Sequence, residues 1–396
     1  MKICLIVDDY MPDSVKVAAK MMHELAVEFQ KRGHIITVIT PNPKISNNLD
    51  IVFLDNIKIL RFKSGEIKNV SKIKRAINET LLSYKAWNSC KYILKNDKHD
   101  LIIYYSPTIF FGSLVKKLKK LWKAPAYLVL RDIFPQWVID NNLLSENSLI
   151  TKYFRFFERI NYKNADVIGL MSQENLNWFN KKYSKKYNTE LLYNWALDVL
   201  STNTNNKYRE DLKLENKVIY FYGGNMGHAQ DMMNIIRLAK KMQEFPEAHF
   251  LFVGAGDEVE LMKVAVQKDK IKNITILPSV NQEKFVEILS QIDIGLFTLN
   301  YNHKTHNFPG KLLGYMCENK PILGSINPQN DLKEVIENAE AGFVTINGED
   351  ELFFNNAKKL LDEDLRNTMG KNSNLLLKNK FSVESAANNI LKIFDN

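Results

Sequence analysis

Only three cysteines occur in 396 residues, Cys4, Cys90 and Cys317. They are far apart and lie in segments that read as strand or helix, which excludes a disulfide framework and a zinc ribbon and points to a reducing cytoplasm. Long apolar runs are equally scarce. The longest uncharged stretch, residues 101–115, holds 15 residues and includes Pro107 and Gly112, short of the roughly 18 that a spanning helix needs. The opening Met1-Lys2-Ile3-Cys4-Leu5-Ile6-Val7 is too short for a signal peptide and runs straight into Asp8-Asp9, so it reads as a first strand. There is no short-period repeat, and the one biased tract is the polar Ser201-Thr202-Asn203-Thr204-Asn205-Asn206. No nucleic-acid-binding module is recognisable. His303 and His306 stand one helical turn apart without a nearby Cys or carboxylate, so no metal site is expected.

What is present is the material of a soluble globular protein, 45% hydrophobic and 25% charged, in a chain long enough for two cores. The net charge of +9 is uneven. Residues 1–200 carry 31 Lys/Arg against 19 Asp/Glu and the remainder 23 against 26, which hints at an anionic surface or acceptor on the first half. Strand-like runs at 2–7, 35–40, 101–105, 126–130 and 165–171 alternate with helical patterns, beginning with the periodic stretch 15–29 that stops at Gly33. The same alternation restarts at 218–222 and continues through 249–253, 274–277, 292–297, 321–324 and 342–345. This predicts an α/β protein with two doubly wound, Rossmann-like domains. The expected division is 1–195, a linker at 196–210, a second domain at 211–380 and a terminal helix at 381–396.

Tyr222-Gly223-Gly224-Asn225-Met226-Gly227-His228 falls where a strand ends and a helix, expected from His228 to Gln243, begins. Glycines there allow a tight turn and close approach to a ligand, and a helix N-terminus suits a phosphate; a glycine-built turn without a ligand is the plainer alternative. A nicotinamide cofactor is disfavoured, because the next strand ends in Gly254-Ala255-Gly256-Asp257 and its acid arrives too late to hold a ribose. Pro309-Gly310 opens another helix with Lys311 in its first turn, where a cation opposes the helix dipole by ~0.3–1 kcal/mol. Lys311 is thus either placed to meet an anion or an ordinary exposed lysine. Asp132, just past the strand at 126–130, either contacts a reacting sugar or acceptor hydroxyl or caps the helix expected near Phe134. Asp8, Asp9 and Asp13 lie in a comparable first loop, either as ordinary solvated residues or as contacts for an acceptor. Lys116, Lys117, Lys119, Lys120 and Lys123 surround Leu118, Leu121 and Trp122, a pattern that suits either an anionic bilayer or a solvated face.

In this order the segments resemble the retaining GT-B glycosyltransferases of glycosyltransferase family four, along nearly the whole chain. The resemblance rests on Tyr222-Gly223-Gly224-Asn225-Met226-Gly227, Val253-Gly254-Ala255-Gly256-Asp257, Asn273-Ile274-Thr275-Ile276-Leu277-Pro278, Asp8-Asp9-Tyr10-Met11-Pro12-Asp13-Ser14, Gly33-His34-Ile35-Ile36-Thr37-Val38 and Asn194-Trp195. Arg131-Asp132-Ile133-Phe134-Pro135-Gln136-Trp137 and Phe308-Pro309-Gly310-Lys311-Leu312-Leu313-Gly314-Tyr315-Met316 look more narrowly like the N-acetyl-L-fucosamine transferases of bacterial O-antigen and capsule clusters. One departure stands out: the family's two glutamates are replaced by His306 and Gly314, so their contacts do not carry over.

The resemblance implies two domains facing each other across a cleft, and transfer with retention of a sugar from a UDP-linked donor to an undecaprenyl-diphosphate-linked saccharide. Asp132 and Lys311 are the expected catalytic residues. Donor contacts are expected from Gly223, Gly224, Asn225, Met226, Gly227, His228, Gly254, Gly256, Pro278, His306, Pro309, Gly310, Leu312 and Tyr315. Asp9, Asp13, Ser14 and Arg131 are expected on the acceptor side. Lys116, Lys117, Lys119, Lys120, Trp122 and Lys123 would touch the inner face of the cytoplasmic membrane, making the protein cytoplasmic and peripheral. No cofactor, metal or nucleic acid is expected. A nucleotide-sugar epimerase and a non-catalytic sugar-nucleotide-binding partner are the alternatives.

Overall fold

Residues Ile3 to Ile6 are wholly buried, and each large aliphatic side chain so placed contributes about 1.5–3 kcal/mol. They make the strand around which a first sheet is assembled. The computed structural model describes every residue except 15, 68–69, 141, 199–206, 303–307 and 395–396. It divides into two compact units, Met1–Tyr193 with Val383–Asn396, and Asn194–Ser382.

The first unit carries β1 (Lys2–Ile6), β2 (Ile35–Asn42), β3 (Leu49–Leu54), β4 (Ile57–Lys63), β5 (Leu101–Ser106), β6 (Ala126–Leu130), β7 (Val167–Leu170) and β8 (Thr189–Leu191). They form one sheet in the order β3-β4-β2-β1-β5-β6-β7-β8. The pairing is parallel except between β3 and β4. That antiparallel hairpin is absent from the sequence reading, as is β8. Its turn is Asp55-Asn56, with φ of 49° and 62°, the left-handed pair that lets a two-residue turn follow the twist of its strands. Buried strand faces pack against helices such as Leu82–Asn96 and Gly112–Trp122. The terminal helix Val383–Lys392 belongs to this unit and packs on helix Val17–Lys31. Arg32 fastens it through Asn388 at 2.6 Å and the Glu384 carbonyl at 3.1 Å.

The second unit carries β9 (Val218–Asn225), β10 (Ala248–Ala255), β11 (Ile274–Leu277), β12 (Ile294–Thr298), β13 (Ile322–Ile326) and β14 (Gly342–Ile346). The order is β11-β10-β9-β12-β13-β14, all parallel. Its core includes Tyr220 and Phe250, whose rings stack at 4.9 Å. Both ends of the expected 196–210 linker are packed within this unit. Ala196 bridges to Ser382, Cys317 Sγ lies 3.1 Å from the Leu197 carbonyl, and Asn374 bonds Asp198 at 2.8 Å. Residues Lys207–Asp211 form a short helix whose Arg209 pairs with Asp293 at 2.6 Å. Polar composition alone hid these contacts. The Asn-rich tract lies outside the described residues.

Candidate functional site

In the second sheet the strand order reverses between β9 and β12, so the crevice beyond their carboxyl ends is where such a sheet takes a ligand. Gly223, Gly224 and Asn225 end β9 there. Gly224 has φ of +107°, a conformation glycine adopts without strain. The glycines at the end of β10 bring two backbones close. A Cβ on Gly254 would stand 1.8 Å from the Gly224 carbonyl oxygen, and one on Gly256 2.1 Å from that of Met226. The two turns are therefore pressed backbone to backbone, with Met226 N–H donating to the Ala255 carbonyl at 2.9 Å.

Phosphate binding through the N–H groups after Gly224 needs correction in detail. The Met226 N–H is taken by Ala255, and that of Gly227 donates to Gln230 Oε1 at 3.1 Å. The helix expected to start at His228 is first a single 3₁₀ turn, His228–Gln230, and the α-helix begins only at Met232. Asp231 between them has φ of 50° and breaks the run. Glu258 accepts the Met232 N–H at 2.9 Å, so that helix start already holds an anion of the protein itself.

Lys311 stands beside the same glycine turn. It opens the helix Lys311–Cys317, half-buried, with its Nζ 3.4 Å from the centre of the Tyr222 ring. Gly224 is its other neighbour: a Cβ there would lie 3.9 Å from Lys311 Nζ. Among the described residues no carboxylate pairs with this ammonium. Burial pulls its pKa down to about 7, because the charged form has lost water and gained only a ring face in return. A desolvated, unpaired cation beside an open glycine turn suits an anion, which would restore the charge balance that burial removed.

Other expected donor residues fall in three groups. His228 is exposed, with Nδ1 3.6 Å from Glu258 Oε1, and Pro309 and Gly310 lead directly into Lys311. Met226, Leu312 and Tyr315 are wholly buried and support the site from beneath. The Tyr315 hydroxyl receives the Gly223 N–H at 3.3 Å and donates to the Leu296 carbonyl at 3.1 Å, stitching β9 to β12. Pro278 follows β11, two strands from β9, and is not brought to the others. His306 lies outside the described residues.

The first sheet reverses order between β1 and β5, and its carboxyl edge is acidic. Asp8, which follows β1, has its pKa raised to about 6, chiefly by burial, with the neighbouring Asp9 charge adding and Lys16 opposing. Burial is also the main cause of the raised Tyr105 pKa, on which Arg131 acts in one direction and Asp8 and Asp132 in the other. These four groups therefore share one patch. Among the described residues the Asp132 carboxylate has no hydrogen-bond or ion-pair partner. It caps no helix, for the next one is Gln136–Asp140. Asp9 pairs with Lys16 at 2.6 Å, and Asp13 is held by Arg61 at 3.2 Å and Asn42 at 3.0 Å. Ser14 is buried and accepts the Lys16 N–H at 3.3 Å. Arg131 is buried too, donating to the Tyr193 carbonyl at 3.1 Å, and desolvation lowers its pKa to about 10. Tyr105 is absent from the sequence reading, which singled out Asp8 only as one of three acids in the first loop; the signal for both was their place at the ends of the two central strands.

The lysine-rich helix Gly112–Trp122 keeps Lys116, Lys117, Lys120 and Lys123 exposed, but its apolar stripe faces inward. Trp122 is 2% exposed and its indole N–H donates to the Leu94 carbonyl at 2.9 Å. The expectation that Trp122 touches a membrane is therefore corrected: the ring, with Leu118, fills the core. Lys119 is tied to Asp166 at 2.5 Å. Among the described residues no helix is long and apolar enough to cross a membrane.

Two α/β units with parallel sheets of this kind make the GT-B fold. The structure of HepE from Anabaena in complex with UDP and glucose superposes with a TM-score of 0.66 at 15% identity, over 100% of this chain and 99% of that one. Residues 204–375 match the family model for glycosyl transferases group 1. WcaI of Escherichia coli (strain K12), assigned as a colanic acid biosynthesis glycosyl transferase, is 24% identical over 227 residues, 56% of either chain. WbjE of Pseudomonas aeruginosa, assigned as a glycosyltransferase, is 22% identical over 222 residues, 54% of either chain. The chain spans about half the length of the curated relatives it matches.

Proposed function

We propose that this chain is a glycosyltransferase that binds a nucleoside diphosphate sugar on the second unit and passes the sugar to a saccharide hydroxyl. The observation that carries this reading is Lys311, desolvated, unpaired and set beside Gly224 at the point where the sheet changes direction. The bond from the anomeric carbon to the diphosphate oxygen breaks as the acceptor oxygen bonds to that carbon. The hydroxyl proton leaves with the diphosphate or goes to a carboxylate. A fixed ammonium stabilises charge growing on the diphosphate more than it stabilises the bound donor, which is how it accelerates transfer. UDP and glucose in the structure of HepE support a UDP-linked donor.

The finer reading is N-acetyl-L-fucosamine transferred with retention from UDP to a sugar on undecaprenyl diphosphate, by an enzyme held on the inner face of the cytoplasmic membrane. The family match and the colanic acid assignment of WcaI support polysaccharide assembly as the setting. Purified protein incubated with a panel of UDP-sugars should release UDP only when a lipid-linked acceptor is added. Conversion of free donor without acceptor would establish epimerisation instead, and donor binding without turnover on every acceptor would establish a non-catalytic binder. Either result overturns the proposal.

A further inference from the structure

Helix Leu149–Lys163 buries Tyr162 together with polar side chains and leaves other apolar side chains exposed. Its inward positions include Thr151, Glu158 and Asn161, all at most 1% exposed, while Leu149 is 83% exposed, Ile150 56% and Phe156 54%. The helix is anchored through rings and polar contacts: Tyr162 packs on Phe179 at 5.2 Å and Phe157 on Phe110 at 5.0 Å, Arg155 grips Glu158 at 2.9 Å, Tyr183 donates to Glu158 at 3.0 Å, and Tyr104 donates to the Asn161 carbonyl at 2.6 Å. A second apolar stripe, Leu149, Ile150, Tyr153 and Phe156, is left over. Tyr153 meets Thr80 of the helix Lys72–Thr80, whose Ile73 and Ile77 are themselves 75% and 55% exposed. Exposed apolar side chains on two helices that meet at Tyr153 and Thr80 are more than single scattered ones, and suit an interaction surface.

The charges around the face say what covers it. The one acid of the helix, Glu158, is turned inward and neutralised by Arg155. Lys152, Arg159 and Lys163 remain outward on the same stripe as Leu149, Tyr153 and Phe156, with Lys74 exposed on the neighbouring helix. Aliphatic and aromatic side chains interleaved with unopposed cations suit an anionic lipid headgroup layer, where rings sit at the interface and cations meet phosphates. The apolar core of a protein interface is depleted in lysine, whereas here lysines stand among the apolar side chains.

We propose that the outward face of helix Leu149–Lys163, continued by Ile73 and Ile77, docks on an anionic lipid bilayer. This rests on the reading of the acceptor as lipid-linked, and it moves the docking surface away from the lysine run at 116–123. The test is co-sedimentation of the full chain with vesicles of phosphatidylglycerol and phosphatidylcholine in equal parts, and with phosphatidylcholine alone. Parent protein should bind the anionic vesicles, less so in high salt, and the neutral ones weakly. The combined Leu149→Ser, Ile150→Ser and Phe156→Ser variant should bind at least about tenfold more weakly with an unchanged melting temperature. Lys116, Lys117, Lys120 and Lys123 changed together to Gln should have the smaller effect. Unchanged binding by the apolar variant, loss only in the lysine variant, or no vesicle binding by the parent overturns the proposal. So does a parental dimer, seen in sedimentation velocity, that the apolar variant dissociates, since a second copy would then cover the face. UDP binding measured without vesicles is the separate readout: its absence in the parent defeats the glycosyltransferase reading and leaves the vesicle result standing.

Discussion

The two sheets change direction in the same way and are dressed with opposite charge at that point. Beyond β1 and β6 stand Asp8, Asp9 and Asp132; of the cations nearby, Arg131 is buried against the Tyr193 carbonyl and Lys16 is paired with Asp9. Beyond β9 and β12 the cation is the open group: Lys311 is unpaired among the described residues, and the nearby acid, Glu258, is spent on the Met232 N–H. One topology thus yields a crevice suited to phosphate and another suited to handling hydroxyls and protons. The fold supplies the place, and the few residues after each strand supply the chemistry.

The largest effect that would break this contrast comes from Lys311. Removing a preorganised charge of this kind costs about 2.7–4 kcal/mol, so Lys311→Ala should lower turnover at saturating donor by roughly a hundredfold to a thousandfold. Lys311→Gln should not restore it. The pH dependence has a definite sign. Burial lowers the pKa of the empty site to about 7, so the free lysine loses its proton as pH rises through 7, whereas bound diphosphate favours the ammonium. UDP binding should therefore take up a proton above pH 7 and weaken as pH rises, which calorimetry in buffers of different ionisation enthalpy measures. Near-parental turnover in a well-folded Lys311→Ala protein removes the residue from the site.

Asp8 tests the acidic half. With its carboxyl raised to about 6, the folded protein holds a proton that the unfolded chain has already released above its ordinary range near 4. Its contribution to stability is therefore present below about pH 4 and is lost as pH rises through 6. Asp8→Asn should flatten that part of the melting-temperature profile. If ionised Asp8 helps take the acceptor proton, turnover should rise with pH through about 6 in the parent, and the variant should lose about a hundredfold and the inflection together. An unaltered pH–rate profile in Asp8→Asn would leave the carboxylate a structural role only.

Legibility in the sequence followed physical cause. Ala126–Leu130 was readable because all five residues are buried, so the apolar run itself is the signal. The β3–β4 hairpin was not, since half-buried alternation across Leu49–Leu54 gives a weaker pattern and its Asp55-Asn56 turn lacks glycine. Both glycine turns were found in place, yet the purpose of Gly254 and Gly256, contact between two backbones, is tertiary and has no local mark. Lys311 stood out because a cation in a helix's first turn is locally unfavourable. Trp122 and Phe156 show the limit: a stripe of apolar residues states that something covers it, without saying whether core or outside does so. Trp122 faces inward and Phe156 outward.

A smaller, purely structural effect should come from the glycines that hold the second crevice in shape. A Cβ at Gly254 meets the Gly224 carbonyl at 1.8 Å, whereas one at Gly310 meets nothing within 4 Å. Gly254→Ala should lower stability by about 1–3 kcal/mol as the turns move apart, and weaken UDP binding by shifting Gly224. Gly310→Ala should stay within about 0.5 kcal/mol of the parent. Equal melting temperatures for the two variants would mean that the turns do not depend on their close contact.

Chelation should have the smallest effect, and it separates the two crevices by which kind of charge each supplies. A diphosphate leaving group needs positive charge beside it, and Lys311 places an ammonium next to Gly224 without help from an acidic ligand set. Among the described residues no group of three or more His, Cys, Asp or Glu is arranged to hold a metal ion. The first crevice does offer carboxylates, but Asp9 is already paired with Lys16 and Asp13 with Arg61, which leaves Asp8 and Asp132 outside these ion pairs. Turnover should thus be unchanged after exhaustive chelation and unchanged again when magnesium is returned. Loss on chelation that magnesium restores would mean that Lys311 does not carry the leaving-group charge alone, and that the acidic edge of the first sheet has a second task.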